Sequence, residues 1–365
     1  MFSKHVIATA FATAVAAASC GAAAQVPAGY PADYQKVIDG AKKEGTLVIY
    51  AATDAKAAEP LVKDFNKMYP DVKVEYNDMN STEIYNRFIS EVAAGGATAD
   101  VLWSSAMDLQ IKLVHDGYAM KYASREAAAL PAWAKMDDMA YGTTFEPAVF
   151  IYNKRQVSEA EVPKTHEQLA KLLDSQTARF KNKVITYDVE KSGVGFMFIT
   201  NDMKIDKDFW NLAKALGKAS VQVQSSTGAM MERVSSGEDL LGYNILGSYA
   251  LVRAKKDPNL GVVVPQDYTQ VLSRVQFISK TAKHPNAAKL WVDYLLSKRG
   301  QTVIANEAKL FSLRPDVTGE TTSAELIEKI GKGIKPLQVN ASLLEYLDQS
   351  KRLAFLNQWK QAMKK

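Results

Sequence analysis

The sequence predicts an α/β protein made of doubly wound, mainly parallel sheets with flanking helices. Three short apolar runs, Leu47–Ala52, Val72–Tyr76 and Val101–Trp103, recur between residues 45 and 116. Two helical patterns separate them, the first with Leu61, Phe65 and Met68, the second with Ile84, Phe88 and Val92. Strand–helix–strand order of this kind closes into parallel strands covered by helices. Such sheets bind ligands beyond the carboxyl ends of their strands, where the next helices begin. Here those ends carry Thr53-Asp54 and Ser104-Ser105, small polar residues able to donate to an anion.

At 365 residues the chain is long enough for two domains. Apolar residues at 47% and charged residues at 23% describe an ordinary globular protein. The net charge of +5 is spread among acids without a basic run, which argues against nucleic acid as a partner. Residues 1–24 read as a secretory leader: Lys4, an Ala/Val/Phe stretch, then Ala22-Ala23-Ala24 before Gln25. The expected location is therefore periplasmic. Cys20 lies in that leader, either as an incidental residue or as a lipid acceptor. Ala17-Ala18-Ser19 lacks the leucine usual before a lipidated cysteine. It is the one cysteine, so after cleavage no thiol nucleophile or thiolate metal ligand remains.

The rest of the chain continues the pattern. Tyr34–Glu44 is a short helix stopped by Gly45. Pro70 ends the first helix of the block, and Asn80 with Glu83 caps the second. Met107–Val114 is the next helix, followed by an irregular Ala-rich stretch at 118–141. Ala148–Asn153, Val184–Tyr187, Leu240–Ile245, Val262–Pro265 and Val271–Ser279 read as strands. Thr165 and Gln168 have capping-box spacing. Thr227 is placed to cap the helix of Met230, Met231 and Val234. Pro285–Ile304 reads as one long amphipathic helix, and the tail from Ser323 as mostly helical. A composition shift near 142–153 marks a crossing into a second lobe, with the return near 261–279. The expected division is 25–142 plus 266–310, then 146–262, with 311–365 packing on both.

The order of several motifs resembles the solute-binding proteins of ABC importers, in the branch holding ferric-ion-, phosphonate- and hexose-phosphate-binding members. The motifs are GTLVIYAATD at 45–54, FNKMYPDVKVEY at 65–76, ADVLWSSAMD at 99–108 and YNK at 152–154. SGVG at 192–195, SGEDLLGYNILGSYA at 236–250 and HPNAAKLWVDYLLSKRGQ at 284–301 follow. The resemblance implies a two-lobed type II periplasmic binding fold with two or three crossovers, hinge closure on the ligand, and a monomer. It also implies a membrane permease with a cytoplasmic ATPase as partners. Ferric-binding members carry two adjacent tyrosines after the strand that here reads LLGYNIL. This chain has Gly247-Ser248-Tyr249, and His115, His166 and His284 fall outside the expected cleft. The expected solute is therefore a small anion, such as a phosphonate, sugar phosphate or organic acid. Ferric iron is the alternative, and no cofactor or resident metal is expected.

Each candidate residue also has a structural reading. Thr53, Asp54, Ser104 and Ser105 suit helix caps as well as ligand contacts. Ser192, Gly193 and Gly195 could bring backbone close to a ligand or form a tight turn. The resemblance raises Asn244, Ser248 and Tyr249. Arg274 interrupts the apolar run VLSRVQFIS, so it must either grip the anion or pair with a hinge carboxylate such as Glu146. Trp103 is expected to pack in the sheet. No GxSxG, HExxH or P-loop is present, so no enzymatic activity is expected. A periplasmic hydrolase on the same fold is the alternative of another class.

Overall fold

Residues 25–364 are described by a computed structural model. The leader and Cys20 lie outside them. Among the described residues, thirteen strands form two sheets. They are β1 (Thr46–Ala51), β2 (Lys73–Asp78), β3 (Val101–Ser104), β4 (Lys135–Met136), β5 (Ala140–Gly142), β6 (Glu146–Asn153) and β7 (Val184–Tyr187). Then come β8 (Gln222–Gln224), β9 (Leu241–Leu246), β10 (Leu260–Val263), β11 (Thr269–Leu272), β12 (Val275–Ile278) and β13 (Ile334–Pro336). The first sheet runs β2-β1-β3-β12-β5-β4, and the second β13-β11-β6-β9-β7-β8 with β10 beside β6. β2, β1 and β3 are parallel, as are β9, β7 and β8. The strands that return across the molecule, β6 and β12, run antiparallel to their neighbours.

The apolar run of β1 is continuous because both faces are covered. Leu47, Ile49 and Ala51 face one core, while Tyr50 faces another. The helix Ala55–Met68 turns Ala58, Leu61 and Phe65 inward at helical spacing. Phe65 meets Trp291 and Tyr294 edge-on at 5.3 and 5.6 Å between ring centroids. Trp103 is fully buried in the first sheet, where its Nε1 donates to Thr143 at 2.9 Å.

Four local expectations are corrected. The run 271–279 is two strands in different sheets, because the chain crosses between lobes at Ser273-Arg274. The second sheet thus reaches to Leu272 rather than ending near 262. The long helix from Pro285 breaks at Ser297, whose hydroxyl accepts from the Gly300 amide at 3.1 Å and starts a new helix, Lys298–Asn306. Ser226, not Thr227, caps the helix Thr227–Ser236. The stretch 118–141 contains β4 and β5. The N-caps expected at Asn80 and Thr165 agree with the structure, each side chain accepting from an amide of its first turn at 2.9 and 3.0 Å. The reciprocal half of the capping box is not formed: Gln168 Oε1 accepts from the Lys164 amide instead, at 2.8 Å.

A third passage joins the lobes at Phe311–Leu313, where the Phe145 amide donates to the Phe311 carbonyl at 2.8 Å. Beyond it, β13 pairs with β11 in the second sheet. The last helix, Gln349–Ala362, buries Phe355 and Trp359 against the second lobe.

Candidate functional site

The site begins below the cleft, in the crossover strands. Arg274 and Glu146 are both fully buried there. Arg274 donates from Nε to Glu146 Oε1 at 2.7 Å and from Nη2 to Oε2 at 3.0 Å. Its Nη1 donates to Thr53 Oγ1 at 2.9 Å. Thr144 donates to Oε1 at 2.7 Å, and the Ser248 hydroxyl donates to Oε2. Burial pushes the Glu146 carboxyl up, but the Arg274 charge and these hydrogen bonds outweigh it, so the net direction is below the usual range. The Tyr249 ring covers the guanidinium, with 5.1 Å between its centroid and the guanidinium carbon. Of the two readings open for Arg274, the structure shows the ion pair with Glu146.

Above this floor, between the lobes, is a cavity of about 320 Å³. Five helices begin at its wall, one of them Gly247–Ala254 behind Leu246. Asp54 precedes Ala55–Met68, Asn80 precedes Ser81–Ala93, Ser105 leads into Met107–His115, and Ser226 precedes Thr227–Ser236. Helix starts leave amides unpaired and carry about half a positive charge. The amides of Thr227 and Gly228 find no acceptor among the described residues. No lysine, arginine or histidine lines the cavity among the described residues. Two carboxylates do, Asp54 and Asp78, and Asp78 accepts from the Ala55 amide at 2.8 Å. Burial raises the Asp54 carboxyl and so does the Asp78 charge, against a lowering by Arg274.

The lobes touch around this cavity. The Asp54 amide donates to the Tyr249 hydroxyl at 3.2 Å, and Asn80 Nδ2 to the Ser225 carbonyl at 3.4 Å. Thr82 donates to the Lys191 carbonyl and accepts from the Gly193 amide, both at 3.1 Å. The arrangement is that of two lobes closed on one another.

Four of the residues singled out in the sequence meet at the cavity: Thr53, Asp54, Ser105 and Tyr249. The others have structural positions. The Ser104 hydroxyl accepts from the Ala106 amide at 3.2 Å, and that of Ser192 from the Gly195 amide at 3.2 Å, both at helix starts. Ser248 is turned down to Glu146. Asn244 sits at φ 60° with its amide on the buried Asp202, inside the second lobe. Gly193 marks a close approach of the lobes, since a Cβ there would lie 2.8 Å from Leu109. Gly195 lets its helix lie on β7, because a Cβ there would meet the Tyr187 Cβ at 2.2 Å. Tyr187 lines the cavity, so Gly195→Ala is expected to displace it and cost about 1–3 kcal/mol through overpacking. A thermal melt would read that cost, and an unchanged melting temperature would contradict the close contact.

Sequence reasoning missed Asp78, Asn80, Ser81, Tyr187 and Ser225–Gly228. The strand-end rule reaches all of them, since they end or follow β2, β7 and β8. β8 reads Gln-Val-Gln and offers no apolar run to mark its end. His166 and His284 pair with Asp267 and Asp100 at 3.0 and 2.8 Å, away from the cavity.

The model of a family described as bacterial extracellular solute-binding protein matches residues 60–329. The chain belongs to this family. A similar solved structure is the substrate-binding protein of an ABC transporter from Agrobacterium tumefaciens. It is 40% identical, with a TM-score of 0.83 over 87% of this chain and 94% of that one. AfuA from Actinobacillus pleuropneumoniae, solved with exogenous fructose-6-phosphate, is 20% identical, with a TM-score of 0.72 over 87% and 98% of the two chains. Iron-bound HitA from Pseudomonas aeruginosa is 19% identical, with a TM-score of 0.68 over 87% and 99%. At those identities AfuA and HitA share the fold alone with this solute-binding protein. The expected two-lobed type II fold and the ABC-transporter family both hold, and the family and these neighbours are binding proteins.

Proposed function

We propose that this solute-binding protein captures a small anion that also carries hydroxyl groups, and delivers it to an ABC importer. The convergence of helix starts from both lobes on one cavity carries this reading. The anionic end, a phosphate, phosphonate or carboxylate, takes the amides at Thr227-Gly228 and the hydroxyls of Ser226 and Ser81. The hydroxyl groups donate to Asp54 and Asp78 at the opposite wall. With no cationic side chain in the wall, neutral donors and helix dipoles supply the attraction, and closure strengthens it by excluding water. Burial raises the Tyr249 phenol above its ordinary value, and no group of three or more His, Cys, Asp or Glu side chains is placed to hold a metal among the described residues. Those two observations favour the anion over ferric iron.

The leader of residues 1–24 would export the chain, and the closed form would dock on the permease that works with the ATPase. A thermal-shift screen of protein freed of ligand by unfolding and refolding tests the solute class. The panel holds sugar phosphates, phosphonates, di- and tricarboxylates, and Fe(III) with and without citrate. A ligand at about a hundred times its dissociation constant adds about 2.7 kcal/mol, which is easily seen. The expected result is a raised melting temperature with a metal-free anion. A shift with Fe(III) alone would overturn the reading, and turnover of a phosphate ester would replace the receptor with a hydrolase.

A further inference from the structure

A second cavity, of about 230 Å³, is walled by both lobes and by the C-terminal segment. Ser192 and Gly193 belong to its lining rather than to that of the first cavity. Its first lobe wall holds Asp108, in the opening turn of the helix Met107–His115. Asp108 is only 3% exposed. Its Oδ1 accepts from the Leu109 amide at 2.9 Å, and its other oxygen has no partner among the described residues. Burial pushes this carboxyl up to about 7. Across the cavity stands Arg352, from the helix Gln349–Ala362. Its guanidinium carbon lies 4.3 Å from the centroid of the Phe196 ring, and its side chain donates to no acceptor among the described residues. The other charged residues of this wall already have partners, Lys112 on Asp116 at 2.7 Å and Glu190 on Lys360 at 3.0 Å.

Two groups of opposite sign thus line one enclosure without reaching each other. A buried carboxylate with a free oxygen attracts a cation or a strong donor. A guanidinium stacked on an aromatic ring presents its N–H groups to an anion. A single ion would satisfy one of them and leave the other uncompensated. We propose that this cavity binds a small zwitterion, its ammonium on Asp108 and its carboxylate on Arg352. The volume suits a molecule of amino-acid size. Because the wall is drawn from both lobes, an occupant would favour the closed form over the open one.

Isothermal titration of the ligand-free mature protein tests this, with glycine, 4-aminobutyrate, ethylammonium and acetate as probes. The expected result is one site per chain for at least one zwitterion, with both single-charge probes weaker by about tenfold or more. Asp108→Asn and Arg352→Gln are each expected to weaken the zwitterion by a similar factor. Arg352 sits on a surface helix, so its variant keeps the test valid even where Asp108→Asn lowers stability. No binding of either zwitterion at millimolar concentration would overturn the proposal. So would ethylammonium or acetate binding as tightly as the zwitterions, or binding that neither substitution weakens, which would place the zwitterion in the first cavity.

Discussion

Arg274→Ala is expected to lower the unfolding free energy by about 3–5 kcal/mol, the cost of leaving a buried carboxylate without its partner. Glu146 is fully buried, and Thr144 and Ser248 cannot neutralise it. Replacing both partners by apolar residues, Arg274→Met with Glu146→Leu, should recover much of that loss, since a buried pair is often matched by well-packed hydrophobic residues. The pH dependence has a definite sign. In the native protein the Glu146 carboxyl is held below its ordinary value, so its contribution is present above the unfolded-state value near 4.3 and is lost as pH falls through the lower folded one. In Arg274→Ala the same carboxyl is raised by burial alone, so that variant gains stability as pH falls. The gap between the two proteins is therefore expected to narrow in acid. Urea unfolding at neutral pH and near pH 4 measures it. A variant that kept its stability but lost its solute would return Arg274 to the role of ligand contact.

The first lobe was legible because its strands and helices are local patterns. Leu47–Ala52 and the Leu61, Phe65 spacing lie within a few residues of one another, and each fixes a face. Caps were legible for the same reason at Asn80 and Thr165. The Arg274–Glu146 pair spans 128 residues, and sequence could name both partners without deciding between a ligand and a salt bridge. Asn244 failed for a related reason. A polar residue at a strand end looks like a contact, but its real partner, Asp202, lies 42 residues away within the same lobe. The run VLSRVQFIS looked like one strand because both halves are apolar and buried, yet the halves belong to different sheets. Most of the second-lobe wall, Tyr249 apart, was hidden because β8 is polar and short. That hid Ser225–Gly228 and shifted attention to the glycines after β7, which serve packing.

Thr227→Pro is expected to weaken binding of the proposed anion by about tenfold to a hundredfold, the loss of one hydrogen bond to a charged group. Proline is tolerated here because Thr227 is the first residue of its helix, where the amide has no partner among the described residues. Ser226 precedes it in an extended conformation, φ −129° and ψ 144°, which proline requires of its neighbour. The substitution therefore removes a donor from the cavity while leaving the helix intact. It also removes the Thr227 hydroxyl, which hydrogen-bonds with that of the buried Tyr187. Thr227→Ala is the control, because it loses the same hydroxyl and keeps the amide. Stability without ligand should fall by a similar amount in both variants, while affinity should fall much further in Thr227→Pro. The comparison uses whichever anion raises the melting temperature of the native protein. Equal affinities in the two variants would mean that the anion is not held at the start of this helix, and the second lobe would then contribute closure without the main charge contact.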